Sequence, residues 1–240
     1  MDTDKSNGMT FGYDEMFERS RSLVGAAVQE ALRSSRVIIF GVGGVGSWCA
    51  EGLVRSGVEN LTLVDFDVVS VSNINRQREA DTQTVGRPKV EVLAEILHRI
   101  NPGASVTALR ARVSADTLPG FGLGSYDYVI DAIDSLSDKA ALIRAACASG
   151  ATFFSSMGAA RKIDPTRIHV TNFWKVRDCP LGAALRKKLR REGGMPEHSF
   201  LAVYGDEVMD SDKGSLVHIT SIFGMTLAGL VVRDIYSGKR

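Results

Sequence analysis

The sequence predicts an α/β fold, a mostly parallel β-sheet with helices on both faces and a C-terminal extension. Two patterns carry that prediction. Short β-branched runs alternate with longer segments of helical composition, as strand–helix–strand units do. The first strand also runs straight into a glycine-rich loop that opens a helix. Composition agrees: 44% of the 240 residues are hydrophobic and 24% charged, so a sizeable core can be buried.

Residues 1–12 are polar and lack the apolar run of a signal peptide, so a flexible start is expected. Residues 16–33 have helix-forming composition and carry Arg19 and Arg21 near the beginning. Arg36–Phe40 is a β-branched run ending in glycine, as a buried parallel strand would. Residues 44–56 read as a helix and 61–65 as a second buried strand. Residues 88–100 form the next helix, with Pro88 suited to its first turn and Asn101-Pro102-Gly103 to its end. Ser105–Leu109 alternates like a strand, and 126–131 is an apolar strand running into acids. Leu136–Ala148 is a helix closed by Gly150, after which 151–154 and 168–171 add strands.

Residues 13–171 thus make the main unit, a helical arm followed by a nucleotide-binding sheet. Residues 172–240 are expected to complete the same domain. There the pattern changes: 172–180 lacks periodicity, 181–191 is a short basic helix, and 192–214 is loop-rich with one strand at 200–204. The apolar stretch 216–232 is interrupted by His218 and by small or hydroxylated residues. A buried terminal helix is expected there, with peripheral membrane contact the lesser alternative and no stable insertion.

A formal net charge of +1 advertises no long-range attraction to nucleic acid, but leaves room for a local basic patch. Cys49, Cys147 and Cys179 form no CxxC pair, which excludes a four-cysteine zinc site and reads as a reduced, cytoplasmic protein. His98, His169, His198 and His218 have no metal-ligand spacing.

Gly41-Val42-Gly43-Gly44-Val45-Gly46 has the GxGxxG spacing of a Rossmann-like nucleotide site. Such glycines permit a tight turn and let the backbone approach phosphate at a helix N-terminus. Asp65 ends the next strand, about twenty residues beyond, where an acid accepts hydrogen bonds from ribose hydroxyls. A polar cluster follows, from Asp65 and Asp67 through Asn73, Arg76 and Gln77, and Lys89 opens the next helix. Cations converging on a nucleotide held at its ribose suit a triphosphate and its departing pyrophosphate better than nicotinamide.

These segments resemble the ubiquitin-activating-like adenylyltransferases of the ThiF, MoeB and HesA type. The resemblance rests on GVGGVGS, DFDVVSVSNINRQ, TVGRPK and the DAIDS segment that begins at Asp131. It implies that the glycine loop cradles ATP and that Asp65 holds ribose. It further implies that Asn73, Arg76 and Lys89 contact the phosphates while Asp134 coordinates Mg2+. It also implies a homodimer in which an arginine, Arg19 or Arg21, completes the partner's site. Residues 158–168 and the Cys179-Pro180-Leu181 segment look like the branch of tRNA threonylcarbamoyladenosine dehydratases, although 193–214 is short for that branch. The reaction so implied activates a carboxylate on tRNA as an acyl adenylate and cyclises it with loss of water.

The alternative is activation of the C-terminal glycine of a ubiquitin-like sulfur carrier, with a sulfur-transfer or sulfur-acceptor protein as partner. Cys179, on a loop before a helix, would be the nucleophile if one were needed, although a structural role is the better expectation. Trp48 and Trp174 are expected to pack rather than stack on a base. Arg186, Lys187, Lys188, Arg190 and Arg191 crowd one short helix, divided between tRNA contact and solvated face.

Overall fold

The computed structural model describes residues 11–193, 196, 198–212 and 214–238, so most of the expected flexible start lies outside the described residues. The chain opens with α1 (Tyr13–Met16), α2 (Glu18–Val24) and α3 (Ala26–Ser34). The single helix expected over 16–33 is therefore broken. Phe17 leaves helical geometry, and Gly25 at φ 88° occupies a region that ends the run without steric cost.

The alternating part follows as β1 (Arg36–Phe40), α4 (Gly46–Arg55), β2 (Asn60–Val64), α5 (Lys89–Ile100), β3 (Ser105–Leu109), β4 (Tyr128–Asp131), α6 (Leu136–Ala148) and β5 (Thr152–Ser156). β6 (Ile168–Asn172) closes the main unit, and the extension contributes α7 (Pro180–Arg191), β7 (Leu201–Gly205) and α8 (Val217–Tyr236). From β1 onward the element types match the sequence reading, with ends moved by a residue or two except at α8, which runs four residues past 232. In the aperiodic stretch after β6, Asn172 caps a short 3-10 turn by accepting the Trp174 N–H at 3.0 Å.

One seven-stranded sheet runs β3-β2-β1-β4-β5-β7-β6. Every pairing is parallel except β6 with β7. Both faces are covered. Val37 and Ile39 of β1 enter the core beneath α4, α5 and α8, while Ile38 and Phe40 enter the opposite core beneath α6 and α7. That double burial is why the strands read as unbroken apolar runs.

Helix α8 lies close on α4. A Cβ added at Gly224 would sit 2.3 Å from the Val45 carbonyl oxygen, and one at Gly52 would sit 3.0 Å from the Ala228 Cβ. By length and composition α8 could span a membrane, yet half of it is buried against the rest of the chain. The strand order reverses between β1 and β4, and crevices for ligands form at such reversals, beyond the C-terminal strand ends.

Candidate functional site

A cavity of about 1070 Å³ opens at that reversal. Its near side is the β1–α4 loop. Gly41 has φ 82°, its N–H donates to the Val64 carbonyl at 2.8 Å, and a Cβ there would meet the Ala132 oxygen at 2.9 Å. A Cβ at Gly46 would fall 1.8 Å from the Gly41 oxygen, so only glycine lets this turn close on itself. Gly41, Gly43 and Gly44 line the cavity, whereas Gly46 lies behind it, where it permits the turn.

Asp65 ties the loop to the end of β2. Its Oδ2 accepts the Val42 N–H at 2.9 Å and its Oδ1 accepts the Asp67 N–H at 2.9 Å. It still lines the cavity, with lone pairs left for a ligand. Lys89 is delivered by a small antiparallel clasp. Val68 bridges to Pro88, and the Lys89 N–H donates to the Asp67 carbonyl at 3.1 Å. The Lys89 ammonium then pairs with Asp67 at 3.1 Å, its side chain only 7% exposed.

Arg76 lines the cavity with its guanidinium folded onto its own loop, donating to the Ser72 carbonyl at 2.8 Å and to Asn75 Oδ1 at 2.9 Å. The Trp48 indole N–H pins that loop by donating to the Arg76 carbonyl at 3.0 Å, so Trp48 has a packing role. Asn73 departs from its expected place. It is buried, its Oδ1 accepts the Ser70 N–H at 3.0 Å, and it shapes the turn without lining the cavity.

Beyond β4, Asp134 is exposed on the cavity wall with Ser135 and Asp138. An ion pair that the sequence reading missed holds this loop. Asp131 and Lys139 are both fully buried and 2.8 Å apart. Asp131 also accepts from the Ser155 hydroxyl at 2.6 Å, and Lys139 donates to the Ile133 carbonyl at 3.0 Å. Burial pushes the Asp131 carboxyl up from its ordinary range against the pull of Lys139. The only sequence signal was a lysine among core-facing positions of α6. Among the described residues no group of three or more His, Cys, Asp or Glu side chains could enclose a metal. Asp134 and Asp138 offer the one or two hard oxygen ligands that Mg2+ takes alongside phosphates and water.

The far side of the cavity is built by residues after β5 and at the start of α7. Arg161 lies there at φ 61°, fixed by its N–H to the Gly214 carbonyl (2.9 Å) and its carbonyl to the Met209 N–H (3.1 Å). Lys162 is buried, donates to the Glu207 carbonyl, and has its pKa lowered chiefly by that burial. Cys179 is 4% exposed at the start of α7 and also borders the cavity, so it is more enclosed than a loop position suggested. Cys147 is pushed up to about 12 by burial, and Cys49 is pushed up further, which leaves both as inert thiols.

Two groups of expected site residues lie elsewhere. Arg19 is exposed on α2, away from the cavity, and Arg21 pairs with Asp14 at 3.0 Å. On α7 the cations divide. Arg186 donates to the Phe173 carbonyl at 3.3 Å, and Lys188 pairs with Glu192 at 2.6 Å. Lys187, Arg190 and Arg191 are exposed, with Arg191 only 3.9 Å from Glu192.

The ThiF family pattern matches residues 17–233. The chain belongs to the ThiF family. A Bacillus subtilis member, tRNA threonylcarbamoyladenosine dehydratase, is 41% identical over 177 residues, covering 74% of this chain and 70% of that protein. The structure of the Escherichia coli tRNA N6-threonylcarbamoyladenosine dehydratase in complex with ATP matches with a TM-score of 0.89. It is 33% identical and covers 94% of this chain and 96% of that one. The Escherichia coli molybdopterin-synthase adenylyltransferase is 43% identical over 109 residues, which is 45% of this chain and 43% of that enzyme.

Proposed function

We propose that this ThiF-family chain is an ATP-dependent tRNA threonylcarbamoyladenosine dehydratase. The observation that carries the reading is one continuous cavity joining the glycine loop to the Arg161–Lys162 wall. Nucleotide and substrate carboxylate would share it. The dehydratase relative matches about three quarters of the chain, whereas the molybdopterin-synthase adenylyltransferase matches under half of it, which favours tRNA over a sulfur carrier.

ATP would lie with its phosphates on the α4 N-terminus and its ribose at Asp65. The carboxylate of the tRNA modification attacks the α-phosphorus, forming an acyl adenylate as pyrophosphate departs. Arg76 and Lys89 swing from Asn75 and Asp67 to the charge that gathers on that leaving group. Asp134, with Asp138, would hold Mg2+, which screens phosphate charge. A nitrogen or oxygen of the substrate's own carbamoyl arm then attacks the activated carbonyl carbon and AMP leaves, so the net change on tRNA is loss of water. Being intramolecular, that step needs no enzyme nucleophile, and Cys179 is left a structural role.

The same reading makes the protein a cytoplasmic homodimer in which Arg19 or Arg21 reaches the neighbour's phosphates. It gives Lys187, Arg190 and Arg191 to tRNA phosphates, with Arg186 and Lys188 committed within the fold. The test is ATP cleavage to AMP and pyrophosphate with and without tRNA bearing threonylcarbamoyladenosine. The tRNA should stimulate cleavage, and Asp134→Ala should lower the stimulated rate on the order of a thousandfold with an unchanged melting curve. Stimulation by a carrier protein in place of tRNA would overturn the reading.

A further inference from the structure

Behind the nucleotide loop sits a carboxyl group that the reaction leaves without a role. Glu79 is 1% exposed, and neither of its carboxylate oxygens has a hydrogen-bond partner. Buried carboxylates are ordinarily paired, because taking the charged form out of water is costly. Its neighbours explain the exception. From α4, the Ser47 hydroxyl donates to the Gly43 carbonyl at 2.7 Å, and its oxygen accepts the Arg78 N–H at 3.2 Å. Arg78 itself is drawn off into an ion pair with Glu51, which also holds Arg55 at 2.7 Å.

Within the same loop the Thr84 hydroxyl donates to the Glu79 backbone carbonyl at 2.8 Å, and the Gln77 side-chain oxygen is buried and unpartnered. From α5 comes the charge of Lys89, already paired with Asp67, and from the end of β2 the opposing charge of Asp65. The surroundings hold acceptors and cations already committed to other carboxylates. A protonated carboxyl can donate to the acceptors, whereas a carboxylate has only its own N–H and the Ser47 hydroxyl close by, neither in a formed hydrogen bond to it. Burial accordingly raises the Glu79 pKa to about 7, against the downward pull of its own backbone N–H, of Lys89 and of the Ser47 hydroxyl, and with a push from Asp65.

We propose that Glu79 is a proton-linked positioning residue for the nucleotide site, taking up a proton when a triphosphate draws Lys89 into the cavity. The inference rests on the reading that this cavity binds ATP. While Glu79 is ionised, it competes with the incoming phosphates for Lys89, alongside Asp67. Binding transfers the lysine's charge to the phosphates and adds anionic charge nearby, so both changes raise proton affinity at Glu79. By linkage, protons then favour ATP, and affinity falls as pH rises through 7 and above.

Calorimetry of Mg-ATP binding at pH 7, in buffers of different ionisation enthalpy, counts the protons. The parent should take up roughly half a proton more per ATP than Glu79→Gln, because about half of Glu79 is ionised beforehand. Between pH 6 and pH 8.5 the parent should lose up to about tenfold more affinity than the variant. Equal proton counts and equal pH slopes would overturn the inference while leaving ATP binding intact. No ATP binding by the parent would instead refute the nucleotide reading, and the inference with it. Infrared difference spectra of the parent give a check that needs no variant. ATP addition at pH 7 should increase protonated-carboxyl absorption, and no increase would count against Glu79.

Discussion

A carboxyl group that loses its solvent and forms no hydrogen bond must leave a mark on stability as well as on binding. Glu79 has a folded-state pKa near 7 against an ordinary value of 4.5, so the native state holds its proton more tightly. The stability this contributes is fully present below about pH 4.5 and is lost as pH rises through 7. At pH 8.5 the deficit should reach about 3 kcal/mol, and Glu79→Gln should remove most of it. Urea unfolding of both proteins at pH 4.5 and pH 8.5 checks this, since parallel losses would exonerate the residue. Single residues were also where sequence reading fell shortest. Gly41, Asp65 and Lys89 were legible because each belongs to a motif whose spacing follows from how a backbone meets phosphate. Glu79, Asp131 and Lys139 were not, because burial of a charge depends on neighbours far along the chain.

At the level of elements, α8 packs by its glycines. Gly224 faces Val45 and Cys49 with no room for a methyl group, whereas a Cβ at Gly229 would meet nothing within 4 Å. Gly224→Ala should therefore cost about 1–3 kcal/mol by forcing α8 away from α4. Gly229→Ala, in the same helix, should stabilise by about 0.5–1 kcal/mol through reduced chain entropy. Thermal melts of the two variants should move in opposite directions. Burial of α8 was foreseeable from the small residues that interrupt its apolar run. The break in the N-terminal arm was not, because helix-forming composition over 16–33 hid what Gly25 does to a helix. The basic helix was legible in place and length, but not in which cations Phe173 and Glu192 would claim.

For the whole molecule the sheet class could be read directly, because strands buried on both faces leave continuous apolar runs. The insertion of β7 between β5 and β6 could not, since no local pattern encodes which edge a late strand joins. Assembly beyond one chain is testable by complementation. Arg19 lies outside its own cavity and Asp134 inside it. An Arg19→Ala/Arg21→Ala chain mixed with an Asp134→Ala chain should then regain part of the parent's tRNA-dependent activity, through one intact site per mixed dimer. No recovery after demonstrated subunit exchange would mean that each chain serves its own site.

The position of β7 sets a timetable for the nascent protein. Among the described residues β6 pairs only with β7, so 168–172 cannot join the sheet until the ribosome has made the chain through 205. Until then β5 is a bare sheet edge, open to pairing with another chain. The cavity's far wall combines the segment between β5 and β6 with the start of α7, so it is complete only once that late strand slots in. A half-made chain can build β1 to β5, but the far wall is complete only near the end of translation.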